Sequence, residues 1–213
     1  MPRILIFANG NLPDLEAARL LVHADDLLIA ADGGTRHILE LGLVPDFIVG
    51  DLDSSPLDIH APIFKDSQII LFPRDKNETD LELAIDHALT LDSGQIVIVA
   101  ALGLRLDQTL GNIALLAHER LSARDIRIDD GVEEAFYCRG QARVEGAVGE
   151  IVSLLPWRQE VTGIVTKGLK WPLQDETLYP DKTRGISNEL LADEATIQIK
   201  TGLLLVVHRR RPS

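Results

Sequence analysis

The 213-residue chain has one cysteine, Cys138, no apolar run of membrane-spanning length, and only 21 basic residues against 33 acidic ones. Each scarcity excludes something. A single cysteine permits no intrachain disulfide and favours a reducing compartment. Without a stretch of about 20 apolar residues no transmembrane helix is expected. The N-terminal run Ile4 to Ala8 is cut short by Asn9, Gly10, Pro13 and Asp14, so it does not read as a signal peptide, and a cytoplasmic location is expected. A formal net charge of -12 argues against a nucleic-acid backbone or an anionic membrane as partner. The only basic cluster, His208 to Arg211, reads as a solvated tail. The six histidines show no metal-ligand spacing, and His37, His87 and His118 are expected on helix surfaces. There is no internal repeat and no low-complexity segment.

What is present is organised around residues 27–54, LLIAADGGTRHILELGLVPDFIVGDLDS. Two short apolar runs, Leu27 to Ala31 and Phe47 to Val49, each end in acid: Asp32 after the first, Asp51 and Asp53 after the second. Runs this short read as buried strands. Between them Gly33 and Gly34 free the backbone, Thr35 can cap, and Ile38, Leu39 and Leu41 form the apolar side of a short helix that Gly42 ends. The segment is a βαβ unit, and parallel sheets of such units bind ligands outside the carboxyl ends of their strands. Asp51 and Asp53 are two apart, so in extended backbone they share a face and offer hard oxygen ligands that suit Mg²⁺. Gly33 and Gly34 would let backbone N–H groups approach a phosphate at the helix start. The same residues equally suit a capped tight turn, and this segment alone does not separate the two readings.

Ile4 to Ala8 reads as a further strand, with Asn9-Gly10 as a tight loop at the same sheet edge, and Leu15 to Val22 has helical spacing. Gln68 to Phe72 and the near-continuous apolar run Gln95 to Ala101 complete a set of five strands. Leu81, Ala84, Ile85, Ala88 and Leu89 recur at amphipathic-helix spacing behind a Thr79/Glu82 capping-box pattern, with Asp80 in the first turn. Lys76, beside the same edge, is a cation that can meet phosphate. In the segment 103–112 Asp107 is placed to cap a helix built on Leu110, Ile113, Ala114 and Ala117, and Arg105 reads as a surface charge. Five strand ends nevertheless bring polar or acidic residues to one crevice, and that convergence favours a site over separate turn and cap explanations.

Near Arg124 the alternation of helix and strand gives way to short β-type runs: Ile126 to Ile128, Ala135 to Cys138, Glu150 to Leu155, Val161 to Thr166, Thr196 to Ile199 and Leu203 to His208. Such spacing predicts an all-β sandwich or barrel after a boundary within residues 122–130. Two stretches in this region stand out, Thr166 to Leu173 and Arg184 to Glu189. The first holds Trp171, which by itself reads as either a core residue or a ligand platform.

The motifs ADGG (31–34), LVPDFIVGDLDS (43–54), TDLE (79–82), GLRLDQTLGN (103–112), TKGLKWPL (166–173) and RGISNE (184–189), in this order, resemble the thiamine pyrophosphokinase family over essentially the whole chain. The resemblance implies an α/β N-terminal domain with a parallel, Rossmann-like sheet over residues 1–124. A β-sandwich over residues 125–213 would bind thiamine and dimerise. It implies a homodimer with the active site at the subunit interface, transferring pyrophosphate from ATP to thiamine and leaving AMP. Carried over residue by residue, Asp32, Asp51, Asp53 and Asp80 match the Mg²⁺ site, and Lys76, Arg105 and Asp107 are the catalytic candidates. Asn9, Gly33, Gly34, Arg105, Gln108 and Asn112 are the candidates for binding ATP, and Trp171, Ser187 and Asn188 match the part that receives thiamine. This chain has Lys76-Asn77 where the family commonly has Lys-Asp, and Gly103-Leu104-Arg105 where it often has Gly-Gly-Arg. A rival enzyme reading takes Asp51-Leu52-Asp53 as the nucleophile motif of a Mg²⁺-dependent phosphohydrolase of haloacid dehalogenase type. A rival from another class is a non-catalytic nucleotide- or thiamine-binding module.

Overall fold

The computed structural model describes residues 2–52, 58–91 and 93–211. The chain divides into two compact units, one ending at Gly131 and the other beginning at Val132. Among the described residues no helix is long and apolar enough to cross a membrane.

The first unit runs β1 (Ile4–Phe7), α1 (Leu15–Leu21), β2 (Leu27–Ala31), α2 (Gly34–Glu40), β3 (Phe47–Gly50), β4 (Gln68–Leu71), α3 (Asp80–Thr90), β5 (Gln95–Val99), α4 (Leu106–Leu116) and β6 (Asp125–Asp129). Its strands are all parallel and lie side by side in the order β6, β5, β1, β2, β3, β4. β1 is central and wholly buried, which is why Ile4 to Phe7 carries no polar residue. After β4 the chain crosses back to place β5 on the other side of β1. Such a reversal opens a crevice beyond the strands' carboxyl ends.

Local signals set the helices. The Asp14 carboxylate caps α1, accepting from the Glu16 and Ala17 N–H groups at 3.0 Å each. Thr79 Oγ1 caps α3 through the Glu82 N–H at 3.2 Å. The Glu82 carboxylate faces Arg120, 3.5 Å away. Leu81, Ala84, Ile85 and Ala88 bury the inner side of α3, which packs on β1, β2 and β3. Helix α2 approaches β1 so closely that a Cβ on Gly34 would overlap the Phe7 carbonyl oxygen. Ile38 and Leu41 from the α2 segment join Leu5, Phe7, Leu28, Ala30, Ile48 and Val97 in one apolar cluster. Burying a side chain such as Phe7 contributes roughly 2–3 kcal/mol.

The second unit contains β7 (Glu133–Cys138), β8 (Gln141–Glu145), β9 (Ile151–Pro156), β10 (Val161–Lys167), β11 (Gln174–Leu178), β12 (Asn188–Glu189), β13 (Glu194–Gln198) and β14 (Leu204–Arg209). One antiparallel set runs β12, β9, β14, β7 and the other β11, β10, β13, β8. Both sets contribute to one apolar core, including Phe136, Val152, Leu154 and Val206 from the first and Val144, Ile164, Leu178 and Ile197 from the second. β8 and β11 carry one fully buried residue each, Val144 and Leu178. A single apolar position gives no alternation to read, so neither strand was expected.

The histidines and the basic cluster are placed differently from expectation. His37 is buried, with Nε2 3.1 Å from the Gly10 carbonyl oxygen, and His87 is half-buried with its ring 4.6 Å from Phe47. Of these three helix-surface candidates only His118 is exposed. His208 is no part of a solvated tail: it lies fully buried in β14, between β7 and β9, with Nε2 2.8 Å from Glu150 and Nδ1 3.6 Å from Glu134. Arg210 pairs with Glu134, and the Arg211 N–H donates to Glu150. Acids on neighbouring strands hold this basic run in place, and a linear reading does not reveal such partners.

Candidate active site

The carboxyl ends of β1 to β5 feed five loops into one region of the first unit. A cavity of about 390 Å³ there is lined by Asn9 and Gly10 after β1, Asp32 after β2, Arg74, Lys76 and residues 78 to 81 after β4, and Gly103, Leu104, Arg105, Gln108 and Asn112 after β5. Asp107 lines an adjoining cavity of about 180 Å³ with Thr79, Glu82 and Gln108.

The acids converge. Carboxylate oxygens of Asp32, Asp51 and Asp80 all lie within 4.8 Å of one another. Asp53, expected beside them, lies outside the described residues. Asp32 is 3% exposed and its Oδ1 has no hydrogen-bond partner. Its backbone sits at φ 46°, fixed by Asp32 N–H to the Val49 carbonyl and by Thr35, whose N–H and Oγ1 both donate to the Asp32 carbonyl. Non-glycine residues avoid that region, and strain held this firmly clusters at functional sites. Gly50 has φ 148°, and a Cβ on it would stand 3.0 Å from Asp80 Oδ1 and 3.2 Å from the Asp32 Cβ. The missing Cβ at Gly50 leaves room for Asp80 and Asp32 at this strand end.

Lys76 balances the cluster. Its ammonium donates to Asp51 Oδ2 at 3.2 Å and stands 3.0 Å from Asp80 Oδ1. Burial opposes the lysine charge, yet Asp80 and then Asp51 outweigh it and hold the pKa above the usual lysine value. Burial pushes Asp80 above the usual carboxylate range; Lys76 pulls it down, and the charges of Asp32 and Asp51 add to the rise. Lys76 thus pairs with two of the three close carboxylates, and the buried Asp32 Oδ1 has no hydrogen-bond partner. This hard-oxygen set fits Mg²⁺, which is bound through few carboxylates with phosphate oxygens and water completing its shell.

The other candidates divide by role. Asn112 is buried, and its Nδ2 donates to the Ala101 carbonyl at 2.8 Å, tying α4 to the end of β5. Asn9, Arg105 and Gln108 are exposed on the cavity wall. Gly33 and Gly34 do not line the cavity: a Cβ on the former would overlap the Asn9 side chain, and the latter meets Phe7. Asp107 is not a cap, since the N-cap position of α4 belongs to Arg105. Instead Arg105 Nε and Nη2 grip the Asp107 carboxylate at 3.1 and 2.5 Å, and that hydrogen bond holds the Asp107 pKa below the usual range. Leu104, the departure from Gly-Gly-Arg, occupies φ 59° with its side chain 78% exposed.

Sequence reasoning missed Gly50 and His37. A glycine between an apolar strand and Asp51 was a usable signal for the first. For His37 there was none, because its partner is a backbone carbonyl 27 positions away.

In the second unit Trp171 is half exposed, so it is not a core residue. Ser187 is exposed at φ 59°, with its N–H donating to Ser153 Oγ at 3.0 Å. Asn188 is buried against the Trp171 backbone.

Residues 18–128 match the family model described as the thiamin pyrophosphokinase catalytic domain, and residues 141–204 match the thiamin pyrophosphokinase vitamin B1 binding domain. The chain belongs to the thiamin pyrophosphokinase family. The thiamine pyrophosphokinase of Bacillus subtilis is 29% identical over 215 residues, covering 97% of this chain and 98% of that protein. The crystal structure of the B. subtilis enzyme superposes with a TM-score of 0.86 at 25% identity, over 99% of this chain and all of that one. The Geobacillus thermodenitrificans thiamin pyrophosphokinase gives 0.85 at 27% identity over 99% of each chain. The family match covers both units, so the enzyme class extends over the chain rather than over one module.

Proposed function

We propose that this chain transfers a pyrophosphoryl group from ATP to thiamine, giving thiamine diphosphate and AMP. The observation that carries the reading is the carboxylate cluster of Asp32, Asp51 and Asp80 around Lys76, at the strand ends of a thiamin pyrophosphokinase catalytic domain. We read the first unit as a Rossmann-like ATP domain and the second as a β-sandwich that binds thiamine. Nothing in the comparisons supports an aspartyl-nucleophile phosphohydrolase or a non-catalytic binding module.

In this reading Asp32, Asp51 and Asp80 would hold Mg²⁺, with Asp53, two positions after Asp51 in the sequence, as a further candidate ligand. The ion supplies charge neutralisation on the triphosphate. The chain's own groups do the rest. Asn9, Arg105, Gln108 and Asn112 line the ATP pocket, and Lys76 offers its ammonium to phosphate oxygens once it leaves the carboxylates. The thiamine hydroxyl oxygen attacks the β-phosphorus and gives up its proton to solvent; the new O–P bond forms as the bond from the β-phosphorus to the α-β bridging oxygen breaks, and AMP departs with that electron pair. Such transfer rests on positioning and charge balance more than on a protein nucleophile. Asp107, gripped by Arg105, serves to orient Arg105 and the hydroxyl.

Thiamine itself falls to the part of the second unit that holds Trp171, Ser187 and Asn188, where Trp171 offers an exposed indole for cation–π contact with the thiazolium. A homodimer in which each crevice receives thiamine from a partner copy's second unit completes the reading. A single buried Cys138 suits the reducing cytoplasm.

Incubating the protein with ATP, Mg²⁺ and thiamine and separating the products by chromatography tests the reaction. Thiamine-dependent AMP together with thiamine diphosphate is expected. ADP or free phosphate in their place would overturn it.

A further inference from the structure

Gly168 to Trp171 and Asn188 to Leu191 run as a short antiparallel ribbon. Leu169 bridges Leu190, Lys170 N–H donates to the Glu189 carbonyl at 2.9 Å, and Leu191 N–H donates to the Gly168 carbonyl at 2.8 Å. At the end of this ribbon the Asn188 carboxamide takes the place of a backbone partner. Its Oδ1 accepts from the Trp171 N–H at 3.0 Å and from the Glu189 N–H at 2.9 Å, while its Nδ2 donates to the Trp171 carbonyl at 2.7 Å. Both backbone polar groups of Trp171 therefore end on one side chain. That side chain is 5% exposed and anchored by the pairing of Asn188 with Val152.

The indole so held is 47% exposed. Lys170 Nζ stands 4.7 Å from its ring centroid, tethered at 2.8 Å to Glu189 Oε2. One face of the indole thus carries a cation tethered by an ion pair, and nearly half of the residue's surface is open to a ligand. A large aromatic kept out of the core, with its backbone fixed on both sides, is arranged as a pre-ordered platform that loses little entropy on binding.

We propose that Asn188 is a positioning residue for a flat cationic ring, acting through the Trp171 backbone and not by touching thiamine. This rests on the reading that Trp171 receives thiamine. The Asn188 carboxamide has three of its hydrogen-bonding sites occupied and almost no exposed surface, so it has little to offer a ligand.

A double-mutant cycle on the thiamine KM separates the possibilities, using wild type, Trp171→Ala, Asn188→Ala and the double variant, with the ATP KM and thermal unfolding measured alongside. Asn188→Ala is expected to raise the thiamine KM about tenfold with the ATP KM unchanged, as a pair of backbone groups left unmade would do. In the Trp171→Ala background the same change is expected to add less than about twofold, because the platform it positions is gone. Multiplying effects would show that Asn188 contacts thiamine itself and would overturn the proposal. If Trp171→Ala leaves the thiamine KM unchanged, the platform reading fails first and the proposal with it. If Asn188→Ala does not fold, Asn188→Asp, which keeps both accepted bonds and loses the donated one, runs the same cycle.

Discussion

Lys76 places its ammonium 3.0 Å from Asp80 Oδ1, four residues on, in an ion pair without the alignment of a directed hydrogen bond. The same ammonium donates to Asp51 at 3.2 Å, so one side chain neutralises acids from the loop after β3 and the first turn of α3. Lys76→Met leaves the Asp32, Asp51 and Asp80 carboxylates without that cation. The variant should lose about 1–3 kcal/mol of stability without divalent metal and recover part of it when Mg²⁺ is added. Thermal melts with chelator and with saturating Mg²⁺ measure both arms. A variant as stable as wild type in chelator would show that the lysine does not neutralise the cluster.

Gly50 lets the carboxylates approach. Gly50→Ala puts a Cβ 3.0 Å from Asp80 Oδ1 on backbone that favours glycine. The expected result is a loss of about 1–2 kcal/mol in stability together with at least a tenfold fall in turnover, since the displaced groups are the acids themselves. Urea unfolding and steady-state kinetics read the two effects. Stability lost with turnover intact would detach Gly50 from the site.

Leu104 stands at φ 59° with its side chain in solvent. Leu104→Gly removes about 1–2 kcal/mol of left-handed strain and adds about 0.5–1 kcal/mol of unfolded-state entropy, a net gain of up to about 1.5 kcal/mol. A lower melting temperature would mean that the leucine makes a contact strong enough to offset its strain.

Glu150 is paired with buried His208 at 2.8 Å. Burial raises the Glu150 pKa, but hydrogen bonds from the Arg211 and Ala147 N–H groups and from His208 outweigh it and leave the pKa below the usual glutamate value. A group depressed in the folded state contributes stability above its unfolded pKa and loses it as pH falls through the folded one. Wild type should therefore lose stability more steeply in acid than Glu150→Gln, and near neutral pH the variant should be weaker by about 1–3 kcal/mol. Denaturant midpoints at stepped pH decide this. Parallel pH curves for the two proteins would contradict it.

Much of the first unit was legible because its signals are local. The β1, β2, β3 and β5 runs are apolar and short, Thr79 and Asp14 cap the helices that follow them, and acid or glycine punctuates each strand end. The second unit was legible only where strands bury several residues. β8 and β11, with one buried apolar residue each, carry too little pattern. The basic run at His208 misled for a related reason: its counter-charges, Glu134 and Glu150, lie 74 and 58 positions earlier in the chain and reach it only across β7 and β9.

By itself the sequence determined which segments become strand or helix and which strand ends carry acid, because period, caps and glycine positions act over a few residues. Tertiary structure alone decided that Asp32, Asp51 and Asp80 meet within 4.8 Å, that Lys76 stands among them, that Arg105 holds Asp107, and that Asn188 fixes Trp171. The meeting of the acids and Lys76 depends on the order in which parallel strands lie and on which loops their ends bring together. Chain crossing sets that order, and no local spacing encodes it.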